Sequence, residues 1–278
     1  MSKIKNLSFE FFPPRTLEGE KKLWTTLEAL SLYSPEFFSV TFGAGGSTKE
    51  KTFETVIRIK EKGFNAVPHI SCISSSKEEI RSLLEEYKSN NINHLVCLRG
   101  DNPSGLSGAG EFHHANDLVS FVRKETGDHF YIEVAAYPEV HPEAESANED
   151  LRYFKEKVES GANSAITQFF FNVDAYFKFV EQCNQQQINV PVIPGIMPIY
   201  NIKQLSRFAN SCGAEIPRWL RLKLESYGDD INSLRDFGVD FISELCETLL
   251  AFGVDSLHFY TLNEHKIISR IIENISDL

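Results

Sequence analysis

Short apolar runs recur along the chain, each separated from the next by enough residues for at least one helix. They fall at Leu7–Phe12, Phe37–Phe42, Ala66–Cys72, His94–Arg99, Tyr131–Tyr137, Ala165–Phe171, Val190–Met197 and Ser256–Leu262. Runs of this length, rich in β-branched and aromatic residues, predict strands. The intervening segments carry a different period. Ile80, Leu83, Leu84 and Tyr87 stand at i, i+3, i+4 and i+7, as do Val173, Tyr176, Phe177 and Val180. Leu23, Leu27 and Leu30 form a similar stripe, and Ile267, Ile268, Ile271, Ile272 and Ile275 form the last. Each stripe predicts an amphipathic helix. Ser47-Thr48-Lys49-Glu50 and Ser75-Ser76-Lys77-Glu78 have the spacing of capping boxes that open the second and third helices.

Alternating strands and helices predict a parallel sheet with right-handed crossovers. Eight such units in 278 residues match an α/β fold of the closed (β/α)8 TIM-barrel type, which takes about 250 residues. The expectation is a single barrel domain over residues 1–278. The interval between the seventh and eighth runs is nearly twice the others, so Gly213–Phe237 is expected to be an insertion. An open doubly wound sheet is the alternative. It usually carries a glycine-rich turn after its first strand, whereas this chain has Pro13-Pro14-Arg15 there.

The active site of such a barrel sits at the carboxyl ends of its strands. Polar or glycine residues stand at nearly every one: Glu10; Thr41, Gly43 and Ala44; His69; Arg99, Gly100 and Asp101; Tyr137 and His141; Gln168; Asn263. Buried polar groups are costly unless paired, so packing does not account for the pattern. The first strand is the most telling. Side chains alternate along it, so Ser8, Glu10 and Phe12 share one face and Leu7, Phe9 and Phe11 the other. Glu10 is thus set among aromatics just before Pro13-Pro14 end the strand. Desolvation there would raise its pKa and make it a general acid near neutral pH. A structural pairing with a neighbouring arginine is the alternative reading.

Composition narrows the function further. With 28 Lys+Arg against 39 Asp+Glu the net charge is −11, and no basic block offsets it. That argues against nucleic acid or an anionic membrane as the main partner. The five cysteines are scattered without a C-x-x-C pair, which fits a reducing compartment. No signal peptide and no apolar run of about 20 residues is found, so the expected location is cytoplasmic.

Several chemistries find no motif. Gly43-Ala44-Gly45-Gly46 matches neither G-x-G-x-x-G nor a P-loop; it reads as a tight turn or a close approach to a ligand. His113, His114 and His141 lack ligand spacing, so no metal is expected. There is no G-x-S-x-G elbow, and no predicted strand ends in a lysine suited to a Schiff base. Ser104–Gly110 reads as a lid or a solvated loop, and Phe169-Phe170-Phe171 as core.

Taken in order, SFEFFPPR, SVTFGAGGST, PHISCI, CLRGD, AAYPEVHPEA, ITQFFF, VIPGIMPI and LHFYTLN closely resemble the methylenetetrahydrofolate reductase family, over essentially the whole chain. The length is similar to the bacterial form, a catalytic barrel without a regulatory domain. The resemblance implies noncovalently held FAD and a ping-pong reaction. NAD(P)H, in bacteria generally NADH, reduces the flavin, which then reduces 5,10-methylenetetrahydrofolate to 5-methyltetrahydrofolate for methionine synthesis. It also implies a homo-oligomer, commonly a tetramer. By position, Glu10 would protonate folate N5, and Asp101 would lie by the flavin pyrimidine and favour cationic folate intermediates. Thr41, Ala44, His69, Arg99, Gly100, Asp101, His114, Tyr137, His141, Asp150 and Lys157 would contact the flavin, with Arg99 and Lys157 suited to its pyrophosphate. Gln168, Gln204, Phe208 and Leu262 would contact the substrates. The chain departs from the family at Glu264, where an arginine is usual, at His114, where tyrosine is frequent, and at Tyr153 and Glu156. The other readings are a different FAD-dependent barrel dehydrogenase, similar to proline dehydrogenase, and a folate-binding barrel without turnover.

Overall fold

The computed structural model describes residues 4–42, 46–73, 75–100 and 110–276, without the side chains of 46–48. Strands β1 (Asn6–Phe11), β2 (Phe37–Val40), β3 (Ala66–Ser71), β4 (His94–Leu98), β5 (Tyr131–Ala136) and β6 (Ser164–Thr167) follow one another in a parallel sheet. Helices α1 (Leu17–Ser31), α2 (Gly46–Glu61), α3 (Lys77–Ser89), α4 (Ala115–Thr126) and α5 (Ala147–Glu159) connect them, and α6 (Val173–Gln185) follows β6. The seventh run forms two short strands, β7 (Val192–Ile193) and β8 (Gly195–Ile196), on either side of Pro194. β7 pairs with β6, while β8 pairs with β9 (Ser256–Tyr260), which pairs in turn with β1. Since β7 and β8 are one strand interrupted by a residue without an N–H, these pairings close the ring. The fold is the expected (β/α)8 barrel.

Side-chain parity divides the strands between two cores. Phe9, Phe11, Phe38, Val40, Ile70, Leu95, Val134 and Phe259 are fully buried between the sheet and its helices. Each such aromatic contributes roughly 2 kcal/mol of burial. The opposite parity points into the barrel, where Phe37, Val67, Val96 and Ile166 meet with Ile193 and Tyr260 at their edge. Gly195 lies against Tyr260. A Cβ there would stand 2.6 Å from the Tyr260 ring and 2.2 Å from the Thr167 carbonyl oxygen. That carbonyl accepts the Tyr260 hydroxyl at 2.7 Å, and Gly195 N–H donates to Thr167 Oγ1 at 2.9 Å. Only glycine leaves room for this bridge across the closure.

The long interval before the last strand holds three helices: α7 (Ile202–Cys212), α8 (Arg218–Ser226) and α9 (Ile231–Ala251). α9 packs on α6 and on the final helix α10 (Lys266–Ser276), so it occupies the place of a crossover helix. The additional elements are therefore α7 and α8, and the expected insertion at 213–237 leaves out α7 and runs into α9. Capping also shifts in register. The box in front of α3 is Ser76 with Glu79, because Ser75 is buried and donates to the Ser71 carbonyl instead. α2 begins at Gly46, ahead of Ser47. Among the described residues, no helix is long and apolar enough to cross a membrane.

Candidate active site

The carboxyl ends of the strands gather the polar residues that the sequence marked. Glu10, next to last in β1, faces into the barrel between Ser39 of β2 and Tyr260 of β9. Its backbone is fixed: the carbonyl accepts Thr261 N–H at 3.2 Å and Thr261 Oγ1 at 2.6 Å. The side chain is 12% exposed, and its Oε2 lies 3.6 Å from Nε2 of the buried His69 on β3. An ion pair would lower the pKa of the glutamate and raise that of the histidine. Burial does the opposite to both, pushing Glu10 up to about 8 and His69 down to about 3. Between those values both groups are neutral, and Glu10 carries a proton. Among the described residues no arginine is paired with it.

A second group lies on the loops after β4 and β5. Ser71 Oγ and Ile73 N–H both donate to the Arg99 carbonyl, at 2.8 and 2.9 Å, tying the ends of β3 and β4 together. Gly100 follows at φ +87°, and a Cβ there would meet Ser71 Oγ at 2.0 Å. Arg99 pairs with Glu143 at 2.6 Å and holds that carboxylate below its usual range. His141 makes an edge contact with Tyr137, and its N–H donates to Asp150 at 2.9 Å. Lys157 donates to the Ala135 carbonyl and lies over the Tyr137 and Phe154 rings. Burial pushes it down to about 8, against the pull of Asp150. Two cations, Arg99 and Lys157, thus stand with the carboxylates Glu143 and Asp150 around His141 on one side of the barrel mouth. The two cations fit a diphosphate, the only strongly anionic part of FAD. On that fit Arg99 and Lys157 would hold the group directly, while Asp150 positions the His141 backbone.

Thr41 and the turn after β9 complete the rim. Thr41 N–H donates to the Phe11 carbonyl, and its own carbonyl accepts Thr52 Oγ1. Leu262 and Asn263 both have positive φ, 52° and 55°. The Asn263 amide bonds both backbone groups of Phe12 at 2.9 Å, acting as an extra ladder residue for β1. This exchange holds Leu262 in a conformation that a branched residue rarely adopts. Gln168 spends its carbonyl oxygen on Phe169 N–H, leaving its amide hydrogens as the donors it can offer a ligand. Phe169, Phe170 and Phe171 are buried, as expected of core.

Some expected site residues have other employment. Gln204 accepts from Asn201 Nδ2 at 3.2 Å, and its N–H is capped by Asn201 Oδ1 at 2.8 Å, which is the start of α7. Phe208 is partly buried under Arg207. His114 is exposed and stacks on Tyr153 at 5.8 Å, so two of the departures from the family pattern touch each other. Glu264 forms an ion pair with Lys22 of α1 at 2.5 Å. Ala44 and Asp101 lie outside the described residues, as do residues 104–109 of the expected lid. Strand-end reasoning passed over Glu143, as well as a buried polar group lower in the barrel: Ser39, His94, Glu133 and His258. Inward parity was the signal that could have found the latter.

Comparison with known proteins agrees with this geometry. The family profile described as methylenetetrahydrofolate reductase matches residues 1–276. The 5,10-methylenetetrahydrofolate reductase of Salmonella typhimurium is 46% identical over 263 residues, covering 94% of this chain and 88% of that protein. Methylenetetrahydrofolate reductase (NADH) 1 of Arabidopsis thaliana is 40% identical over 96% of this chain and 48% of that protein. Among solved structures, a Clostridium thermocellum protein that binds two copies of 5-methyl-5,6,7,8-tetrahydrofolic acid shares the fold. Its TM-score is 0.66 and its identity 19%, over 99% of this chain and 95% of that one.

Proposed function

The chain belongs to the methylenetetrahydrofolate reductase family, and on that footing we propose that it reduces 5,10-methylenetetrahydrofolate to 5-methyltetrahydrofolate with NAD(P)H through bound FAD. The observation that carries the reading is Glu10, a buried carboxyl that keeps its proton up to about pH 8 at the end of a barrel strand. FAD, when bound, supplies the hydride relay between the two substrates. The protein supplies the rest. Arg99 and Lys157 would bind the FAD diphosphate, and Gln168, whose amide hydrogens remain to be offered, would orient the folate. The proton on Glu10 passes to the imidazolidine ring, converting an unreactive bridged amine into an electrophilic iminium. Neutral His69 beside it provides no charge to stabilise the carboxylate, so Glu10 holds its proton until the substrate nitrogen takes it. Asp101 would add negative charge near the developing cation.

NADH as the preferred reductant, a ping-pong order, a cytoplasmic homo-oligomer and a role in supplying methyl groups for methionine are part of the same proposal. The choice of NADH is supported by the likeness to methylenetetrahydrofolate reductase (NADH) 1 of Arabidopsis thaliana. A steady-state assay with NADH, NADPH and proline as alternative reductants tests it. The expected result is NADH oxidation that depends on methylenetetrahydrofolate and yields the 5-methyl product. Flavin reduction by proline with indifference to NADH would instead indicate a different barrel dehydrogenase.

A further inference from the structure

Beneath Glu10 and His69 the barrel interior sets buried polar side chains among the apolar cluster of Phe37, Val67, Val96 and Ile166, where branched apolar side chains ordinarily predominate. Ser39 stands beside Glu10 across the β1–β2 pair. One inward position lower on β1 is Ser8, whose hydroxyl is 2.7 Å from Nδ1 of its register partner His258. On the far wall Glu133 of β5 has Oε1 3.3 Å from His94 Nε2. The levels are joined by contact: the His258 ring lies 5.4 Å from that of Tyr260, the register partner of Glu10, and Phe37 packs against both His258 and His94. The lower end approaches solvent at Tyr131, 42% exposed, whose ring lies 4.9 Å from that of His94.

Among the described residues, five buried atoms along this column have no protein hydrogen-bond partner: Ser39 Oγ, His69 Nε2, His94 Nε2, Glu133 Oε2 and His258 Nε2. Such atoms are costly unless something bonds them, and a water that can serve two or more at once is the usual solution. The reductase reaction gives this arrangement a use. Each cycle consumes NAD(P)H, one proton and methylenetetrahydrofolate, so Glu10 must be reprotonated once per turnover. A substrate lying over Glu10 separates it from solvent at the carboxyl-terminal mouth.

We propose that the column is a proton path of side chains and bound water, running from the rim at Tyr131 and His94 past Glu133, the His258–Ser8 pair and Ser39 to His69 and Glu10. It rests on the reductase reading above. When the Glu10 O–H bond breaks toward substrate, a proton enters from solvent at the rim. Along the path each new O–H or N–H bond forms as the next one breaks, and the last restores the Glu10 carboxyl. No electrons move. Burial holds His69 and His258 near 3, so the proton passes through them without resting there, and it comes to rest on Glu10.

The test uses the FAD-loaded protein with Ser39→Ala and, separately, Glu133→Gln. Folate-dependent reoxidation of the reduced flavin is followed by stopped flow in H2O and D2O. Each variant is expected to slow this step by about tenfold or more, with a larger solvent isotope effect, while reduction by NADH is unchanged. A disrupted fold would alter both half-reactions and leave the isotope effect alone. Should Glu133→Gln not fold, Ser39→Ala decides, since it removes one oxygen atom only. Unchanged reoxidation and isotope effect would overturn the path and put proton entry at the mouth. A crystal structure of the wild-type protein gives an independent readout. Water bridging Ser39 Oγ, His258 Nε2 and Glu133 Oε2 is expected, and a dry interior overturns the proposal. A wild-type protein that never reduces methylenetetrahydrofolate would refute the functional reading, and the water positions would still decide the column.

Discussion

Replacing Glu10 with glutamine is expected to slow methylenetetrahydrofolate reduction by roughly three orders of magnitude, within the range for removing a general acid. Reduction of bound flavin by NADH should stay near its wild-type rate. The two side chains have nearly the same shape, so Glu10→Gln keeps its place in the ladder between Ser39 and Tyr260 on the neighbouring strands. What it removes is the ionisable proton that burial holds on the carboxyl up to about pH 8. The hydride donated by NADH meets no bridged amine, so that half-reaction does not call on the acid. Stopped-flow traces of the separate half-reactions measure both rates. Folate reduction close to the wild-type rate in Glu10→Gln would mean that the acid is another group.

The same substitution should stabilise the fold. An unfolded glutamate loses its proton near 4.5, whereas folded Glu10 keeps it to about 8. Between those values the folded state binds the extra proton, so stability falls as pH rises, and the full cost is present above about 8. At pH 7 the cost is roughly 3 kcal/mol, and glutamine, with no charge to desolvate, escapes it. His69 acts on the acid side. Its folded value is lowered to about 3 from 6.5, so stability is lost as pH falls through that window. Thermal unfolding of both proteins across this range checks the sign. Glu10→Gln should melt several degrees higher at pH 7, with the gain shrinking toward pH 4.5. A variant that melts at or below wild type at pH 7 would show that Glu10 is ionised in the native protein. A gain in stability bought with activity is characteristic of a strained active site.

Much of this was legible because parity and period each report a single physical constraint. The aromatic run around Glu10 put one face outward and one inward, and the structure buries Phe9 and Phe11 on the helix side with Glu10 in the barrel. The isoleucine stripe of α10 was equally clear, with all five isoleucines buried. Other elements were hidden for identifiable reasons. α9 is covered by the barrel on one side, while Phe237 and Phe241 meet Tyr227 and Trp219 of the α8 region on the other. Being apolar on two faces, it lacks a clean stripe, so its first turns do not stand out from the expected insertion at 213–237. Pro194 splits a run that reads as one strand, and only the pairing of each half shows that the ring closes there. Of the site, strand-end residues such as Glu10, His69 and Arg99 could be read from position. The commitment of Gln204 to the Asn201 cap and the pairing of Glu264 with Lys22 depend on tertiary contacts that spacing does not encode. The polar interior was passed over because attention to strand ends ignores residues two and four positions earlier on the same face.

We propose that this barrel passes a hydride from NADH to methylenetetrahydrofolate through FAD, with Glu10 as the acid. An anaerobic spectral titration of the purified protein, adding NADH first and methylenetetrahydrofolate second, tests this directly. An oxidised flavin band that bleaches with NADH and returns with the folate is expected. A flavin band that NADH cannot bleach, or a protein that remains colourless when FAD is supplied, would contradict it.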